Sequence, residues 1–477
     1  MTNRKTASGP RSHGNEGARP LAAIVLAAGR STRMQSDLPK VLHRLAGRTI
    51  LGHLIDNLAL LKPDRTYVVI APDGEAVAHA APGAVPIAQA DARGTGDAVQ
   101  RVREALADFD GDVLVLYGDS PFLKTDTMRA MIEALHAPSR PAVVVLGFEA
   151  ALPHEYGRLV LDARGNLTRI VSARDATAEE RTITLCNSGM MAGDRARLFD
   201  LLSQVGSDNA QGEVYLTDVV EIAHGRGQPS AVIRGDISEM LGVNTRAELA
   251  AAEAIVQERL RAQAMASGAT LLDPGTVYFS HDTRVGRDVV IEPNVLFGPG
   301  VTLADGAIVC AFSHIEGASI GPGASVGPFA RLRPGTRLEA GARIGNFVEA
   351  KNVQMGEGAK ANHLTYLGDT VVGERANIGA GTITCNYDGY TKSQTAIGAH
   401  AFVGSNTALV APVKVGEGAV VGAGSVITRD VKPGALALTR PPQHQIEGWA
   451  EERRQSRTKA PAHGAHAGAK DKVKEEP

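Results

Sequence analysis

The chain has 477 residues, 21% of them charged, and its 50 Lys and Arg nearly balance 52 Asp and Glu for a formal net charge of −2. That length is enough for roughly two to four domains, and the near-neutral balance excludes the basic footprint of a nucleic-acid binder. No apolar run reaches the ~20 residues of a membrane span, and three cysteines (Cys186, Cys310, Cys385) without CxxC spacing exclude a disulfide scaffold and suit a reducing, cytoplasmic compartment.

Residues 1–19 are polar and are expected to be a disordered extension. The apolar run 21–28 is short for a secretion signal, and its last residues are better used as the end of a buried strand. From 20 to 244 continuous apolar runs (23–26, 67–70, 113–117, 142–148) alternate with helical patterns (50–61, 97–109, 125–135). Such alternation predicts an α/β domain, an open Rossmann-like sheet with crossover helices.

Ligands of such sheets bind beyond the carboxyl ends of the strands. The first strand runs through Leu26 into Ala27-Ala28-Gly29, followed by Arg33 and Lys40. Small residues there let backbone N–H groups approach phosphate, and the two cations suit a triphosphate. The turn is neither a P-loop nor a dinucleotide fingerprint. A second strand ends in Tyr117-Gly118-Asp119, where a carboxylate is placed to hold Mg2+, or merely to cap the next helix. Asn244, after another apolar end, offers the same ion a neutral oxygen. Gln89 and Gly94-Thr95 form a polar, glycine-lined segment suited to a nucleobase edge, and Gly157 and Asn187 offer hydrogen bonds to a sugar.

Residues 245–268, rich in Ala, Glu, Arg and Leu, read as a linking helix. Beyond it, from 269 to 440, an aliphatic residue returns every six positions: Val285, Ile291, Phe297, Leu303, Val309 and Ile315, then after a one-residue slip Ile320, Val326, Leu332, Leu338 and Ile344, and finally Ile397 to Ile427. Neither a helix nor an alternating strand has this period; a hexapeptide solenoid does, its coils stacking because none buries its own apolar face alone. The residue four after each beat is expected inside, and the glycine that often follows the beat is expected at a corner of positive φ.

The repeat reads as broken at 350–367 and at 378–397, and interruptions carry binding loops. The first holds Lys351, His363 and Tyr366, the second Asn386-Tyr387 and Lys392, and Arg333 lies just before. Cations beside a histidine point to a phosphate and an acid–base centre. An imidazole titrates near neutrality, so His363 could take a proton from an amine attacking a thioester, with Glu349 orienting the ring and a backbone N–H near Ala380 meeting the oxyanion. Cys385 lacks a histidine and acid of its own for a nucleophile's role. The segment 441–477 is expected to be mostly disordered, and His463 and His466 within it make a poor metal site.

These motifs carry a resemblance. LAAG-x-x-TRM…LPK, YGD and GVN resemble the sugar-nucleotide pyrophosphorylases, and residues 21–450 resemble the bifunctional N-acetylglucosamine-1-phosphate uridylyltransferase/glucosamine-1-phosphate acetyltransferase family, with HLTYLGD and IGAGTITCNYDG standing as they do there. The resemblance implies acetyl transfer from acetyl-coenzyme A to glucosamine 1-phosphate, then uridylyl transfer from UTP with Mg2+ held by Asp119 and Asn244. It implies that Gln89, Gly94 and Thr95 read uracil, that Gly157 and Asn187 touch the acetylated sugar, and that His363 is the base. It places Arg333, Lys351, Tyr366, Asn377 and Lys392 on the sugar phosphate, and Ala380, Asn386, Tyr387, Ser405, Ala423 and Arg440 on acetyl-coenzyme A. It further implies a left-handed parallel β-helix, a homotrimer, and small molecules rather than nucleic acid or membrane as partners. Ser172 departs from the Glu of the family, and Asn362 from its common glycine. A single-activity pyrophosphorylase with a regulatory solenoid, or a purely structural solenoid, remain alternatives, against which His363, Tyr366 and Asn386-Tyr387 count.

Overall fold

A computed structural model describes residues 19–29, 32–152, 155–207 and 212–459. Most of the expected disordered tails, and with them His463 and His466, lie outside the described residues. Between them are two parts with separate cores joined by a helix.

In the first part the sheet runs in the order Ala231–Arg234, Val143–Glu149, Leu185–Asp194, Asp112–Tyr117, Leu21–Leu26, Arg65–Ile70, Val85–Ala88. All neighbours are parallel except Leu185–Asp194, which runs against both of its own. Apolar cores cover both faces, which is why these strands read as unbroken aliphatic runs. The chain leaves Leu21–Leu26 toward Arg65–Ile70 and later crosses back to Asp112–Tyr117 on its other side. The strand order therefore reverses beside Leu26 and Tyr117, which are register partners, and a crevice opens there.

The expected helix 125–135 forms as Thr125–Leu135, whereas 97–109 forms a helix only as Thr95–Gln100 and continues as hydrogen-bonded turns. The hairpin Arg158–Leu161 with Leu167–Val171 is appended at the Cys186 end of the antiparallel strand.

The linking helix Arg246–Ala266 begins at a capping box, Thr245 accepting from the Glu248 amide while Glu248 accepts from Thr245. Its buried Gln257 donates to the Phe279 carbonyl at 2.7 Å and accepts from the Phe279 amide at 2.8 Å, so one side chain closes the open edge where the solenoid starts.

The solenoid is a parallel β-helix. Val285 pairs with Leu303 and Leu303 with Ile320, so successive coils are 18 and then 17 residues long, three beats to a coil. Every beat residue from Ile291 to Ile344 and from Ile397 to Ile427 is buried, as are Val289, Val295, Ala324, Ala330, Ala401, Thr407, Val413 and Ala419. Val285, in the first coil, is half-buried.

Two expectations are corrected. Of the glycines after the beat only Gly327 has positive φ. The others are small because the next coil lies directly above: a Cβ at Gly404 would stand 2.5 Å from the Ala423 nitrogen, and one at Gly373 2.4 Å from that of Ala399. Left-handed backbone falls instead three residues after the beat, on Asn294, Phe312, Phe329, Phe347, His400 and Asn406. Residues 350–367 are also no interruption. Ala350, Met355, Ala361 and Leu367 are buried on a continuing beat whose small and sulfur-bearing members obscure it. Only 386–394 is a true insertion, between strands Ile383–Cys385 and Thr395–Ile397. After the last coil, where no structure is expected, Trp449–Lys459 is helical.

Candidate functional sites

The crevice at the strand reversal holds a cavity of about 330 Å3 lined by Leu26, Ala27, Ala28, Gly29, Lys40, Gln89, Gly94, Thr95, Tyr117 and Asp119. These ten expected residues come from four separate segments. Gly94 has φ +103°, and a Cβ there would stand 2.6 Å from the Val214 carbonyl, so both its conformation and its clearance demand glycine. The segment at Glu213 and Val214 thus closes the Gly94 end of the cavity, a wall that no motif announced.

Lys40 Nζ forms an ion pair with Asp119 Oδ2 and donates to Asn244 Oδ1 at 2.8 Å, which also accepts from Arg33 Nη2 at 3.0 Å. A carboxylate oxygen and an amide oxygen thereby converge on one cationic point. That donor set fits a magnesium ion, which completes its octahedron with phosphate oxygens and water. Among the described residues no three His, Cys, Asp or Glu side chains cluster as metal ligands.

Burial pushes the Tyr117 phenol up to about 12, against its bond to the Thr95 hydroxyl and helped by the Asp119 charge, so it stands as a neutral wall. Gly189 has no room for a Cβ against that ring, 2.7 Å away. Gly157, Ser172 and Asn187 meet at the base of the hairpin rather than in this cavity: the Asn187 amide donates to the Gly157 carbonyl at 2.8 Å, and Arg158 pairs with Val171. The Ser172 hydroxyl donates to Asp175 at 2.6 Å, closing a turn. Gly118 packs beneath Leu26.

On the solenoid, Arg333, Lys351 and Gly368 are register partners in successive coils. Lys392, on the insertion, comes over Lys351, and its hydrogen bond and charge, with that of Arg333, hold the Lys351 ammonium below the usual lysine range. Burial would raise Asp369, but bonds from Asn352 at 2.7 Å and Asn386 at 2.6 Å and the Lys392 and Lys351 charges outweigh it, leaving a carboxylate below its ordinary range. Arg333, Lys351 and Lys392 thus gather about two carboxylates, Glu349 and Asp369, and such a cluster of cations is suited to a phosphate monoester. Tyr366 Oη and Asn386 Nδ2 both lie against Gly368. Tyr387 is exposed and donates to the Gly389 carbonyl at 2.6 Å, bracing the inserted loop.

His363 lies around a corner from this cluster, with Leu364 at φ +48° between it and Tyr366. Its Nδ1 is 2.6 Å from Asn346 Oδ1, its register partner one coil earlier. With the amide oxygen as acceptor, the bond selects the tautomer that carries its hydrogen on Nδ1, and Nε2 of the neutral ring keeps its lone pair. The expected orienting group, Glu349, is engaged elsewhere: it accepts from Arg333 Nη1 at 3.0 Å. Asn346 was missed, although a partner 17 residues before the histidine is what the coil length implies.

Ala380, Ser405, Ala423 and Arg440 continue the His363 column. Ala380 O accepts from Asn406 at 2.7 Å, Ser405 O from Gly424 at 2.8 Å, and Ala423 O from Arg440 Nη1 at 2.8 Å. Asn377 is half-buried on the same sheet, beside Lys360. No hydrogen bond or ion pair among the described residues joins His363 to Arg333, Lys351 or Lys392. Asn362 keeps its place in strand Lys360–His363, and a Cβ at Gly345 would meet its carbonyl.

The comparisons with known proteins bear on both parts. Residues 23–183 match the family of MobA-like NTP transferase domains, and residues 394–429 match the hexapeptide repeat of succinyl-transferase. The chain is 57% identical over 429 residues to the bifunctional protein GlmU of Rhodospirillum rubrum, covering 90% of this chain and 96% of that one. It is 55% identical over 431 residues to that of Paramagnetospirillum magneticum, with coverage of 90% and 96%. The protein of the same name from Zymomonas mobilis is 48% identical over 445 residues, 92% of this chain and 99% of that one.

Proposed function

The chain belongs to the family of bifunctional GlmU proteins, and from that premise we propose the following division of labour. The enzyme transfers an acetyl group from acetyl-coenzyme A to glucosamine 1-phosphate on the solenoid. It then transfers uridylyl from UTP to N-acetylglucosamine 1-phosphate in the α/β domain, releasing pyrophosphate. The observation that carries this reading is the His363–Asn346 pair, stacked one coil apart, on a solenoid that also carries a three-cation cluster around the next corner. A solenoid that only regulated or trimerised would have no use for an imidazole held in one tautomer.

In acetyl transfer the sugar phosphate sits on Arg333, Lys351 and Lys392. His363 Nε2 takes a proton as the amine nitrogen bonds to the thioester carbon, and the coenzyme leaves as thiolate when the C–S bond breaks. The Ala380 amide N–H, one coil above His363 and without a partner among the described residues, would meet the oxyanion. Ser405, Ala423 and Arg440 continue as a track for the coenzyme.

In uridylyl transfer an oxygen of the sugar phosphate attacks the α-phosphorus, and the bond to the β-phosphate oxygen breaks in line. Mg2+ on Asp119 and Asn244 would neutralise phosphate charge, while Lys40 and Arg33 bind phosphate oxygens. Gly94 and Thr95 face the base, with Gly157, Ser172 and Asn187 toward the sugar.

The base and the cation cluster lie on either side of a corner in one chain, and stacked Phe312, Phe329 and Phe347 are exposed at 55%, 47% and 55% along the solenoid. Both features support a homotrimer in which a neighbouring chain completes each acetyl site. Thiol release from acetyl-coenzyme A in the presence of glucosamine 1-phosphate, with His363→Ala as control, tests the proposal. Equal release by the variant and the parent enzyme rejects it.

A further inference from the structure

Behind the nucleotide cavity lies a buried ionic group that the proposed mechanism does not use. Asp97 is 3% exposed and accepts from Gln89 Nε2 at 2.9 Å, Arg93 Nη2 at 3.2 Å and Arg101 Nη2 at 3.0 Å. Gln89, 6% exposed but lining the cavity, also donates from Nε2 to the Gly94 carbonyl at 3.2 Å. A carbonyl and a carboxylate can only accept, so the Gln89 atom facing both must be nitrogen. Both amide hydrogens are spent on the protein, and Oε1 is left with no protein donor among the described residues.

The three pairs divide the carboxylate between two tasks. Asp97 Oδ1 takes both guanidinium groups, and Oδ2 takes Gln89. The arginines compensate the charge, so a full carboxylate can stand behind a cavity that has to receive a polyanion.

We infer that Asp97 is a positioning residue that sets the choice of pyrimidine, by locking the Gln89 carboxamide with its oxygen toward the base. Uracil carries a hydrogen on N3 and donates to that oxygen. Cytosine has a lone pair on N3 and meets it with repulsion. The inference rests on the uridylyl-transfer reading and deepens it. Asp97 touches no substrate; it acts through Gln89.

The test measures kcat/KM for UTP and for CTP. In Asp97→Asn the guanidiniums claim the single remaining oxygen, a donor faces Gln89, and the lock is lost. The UTP:CTP ratio is expected to fall about tenfold, the worth of one misplaced hydrogen bond. Gln89→Glu, which sets two carboxylates face to face, is expected to lower the ratio similarly. The exchange Asp97→Asn with Gln89→Glu restores the donor–acceptor pair between the two side chains and turns an acceptor to the cavity, though it sets a carboxylate oxygen against the Gly94 carbonyl, and is expected to recover part of the ratio. An unchanged ratio in Asp97→Asn, or an exchange variant no better than the single ones, overturns the inference while UTP turnover by the parent enzyme still stands. Absence of that turnover would remove the functional reading itself, and the inference with it.

Discussion

The α/β domain and the solenoid assemble their sites by opposite means. In the first, ten cavity residues come from four segments of unrelated spacing, and only the strand reversal beside Leu26 and Tyr117 makes them neighbours. In the second, neighbours are separated by one coil: Asn346 and His363, Arg333 and Lys351. A repeat turns sequence distance into spatial distance; an open sheet does not. The solenoid's chemistry should therefore fail one coil position at a time, and the crevice's chemistry as a network.

The sharpest separation of the two is His363→Ala, expected to lower acetyl transfer about 10^2–10^4-fold while pyrophosphate release from UTP continues. Loss of both activities would mean the sites are not independent. Asp119→Asn is the converse. It weakens the charged partner of Lys40 and is expected to lower uridylyl transfer by about a hundredfold, with thiol release intact. Wild-type UTP turnover in that variant would overturn the assignment.

Asn346→Ala probes the interval of one coil. Without its acceptor the His363 ring can take either tautomer, and acetyl transfer should fall about tenfold, with a changed pH profile for kcat; an unaltered profile would deny Asn346 its orienting role. The cation cluster predicts a smaller, pH-linked effect. Lys392 and Arg333 hold Lys351 below the lysine range, and a bound phosphate monoester lifts it back. Binding should therefore take up protons, and affinity for glucosamine 1-phosphate should weaken as pH rises through the depressed value. Calorimetry in two buffers of unlike ionisation enthalpy reads the uptake, and equal heats would refute it. The mildest perturbation is Gly404→Ala. Its Cβ would meet the Ala423 nitrogen at 2.5 Å, and separating the coils should cost about 1–3 kcal/mol, seen as a lower unfolding temperature of the solenoid with the crevice unaffected.

Much of the solenoid was legible because each coil writes its own inward positions into the chain: nearly every residue read as facing inward, from Val289 to Ala419, is buried. Where alanine and methionine replaced the larger aliphatics, at Ala350, Met355 and Ala361, the beat weakened and a continuous wall looked broken. The glycines were found for the wrong reason, since backbone conformation and clearance to the next coil select the same residue. In the α/β domain the strand ends were legible and their carboxyl-end residues did converge. The Glu213–Val214 wall and the carboxylate behind Gln89 were not, since no spacing relates either to the first strand.

Taken alone, the order of residues determined what is periodic or contiguous: two architectures, their junction near 245, and which strand ends and coils carry polar groups. Tertiary structure decided which polar group meets which. On paper Glu349 is the partner expected for His363, but register between coils gives the ring to Asn346, and Glu349 accepts from Arg333 instead. The reason is physical. Burial is a property each residue carries and can repeat along a chain, whereas a hydrogen bond about 3 Å long depends on two backbones being placed together.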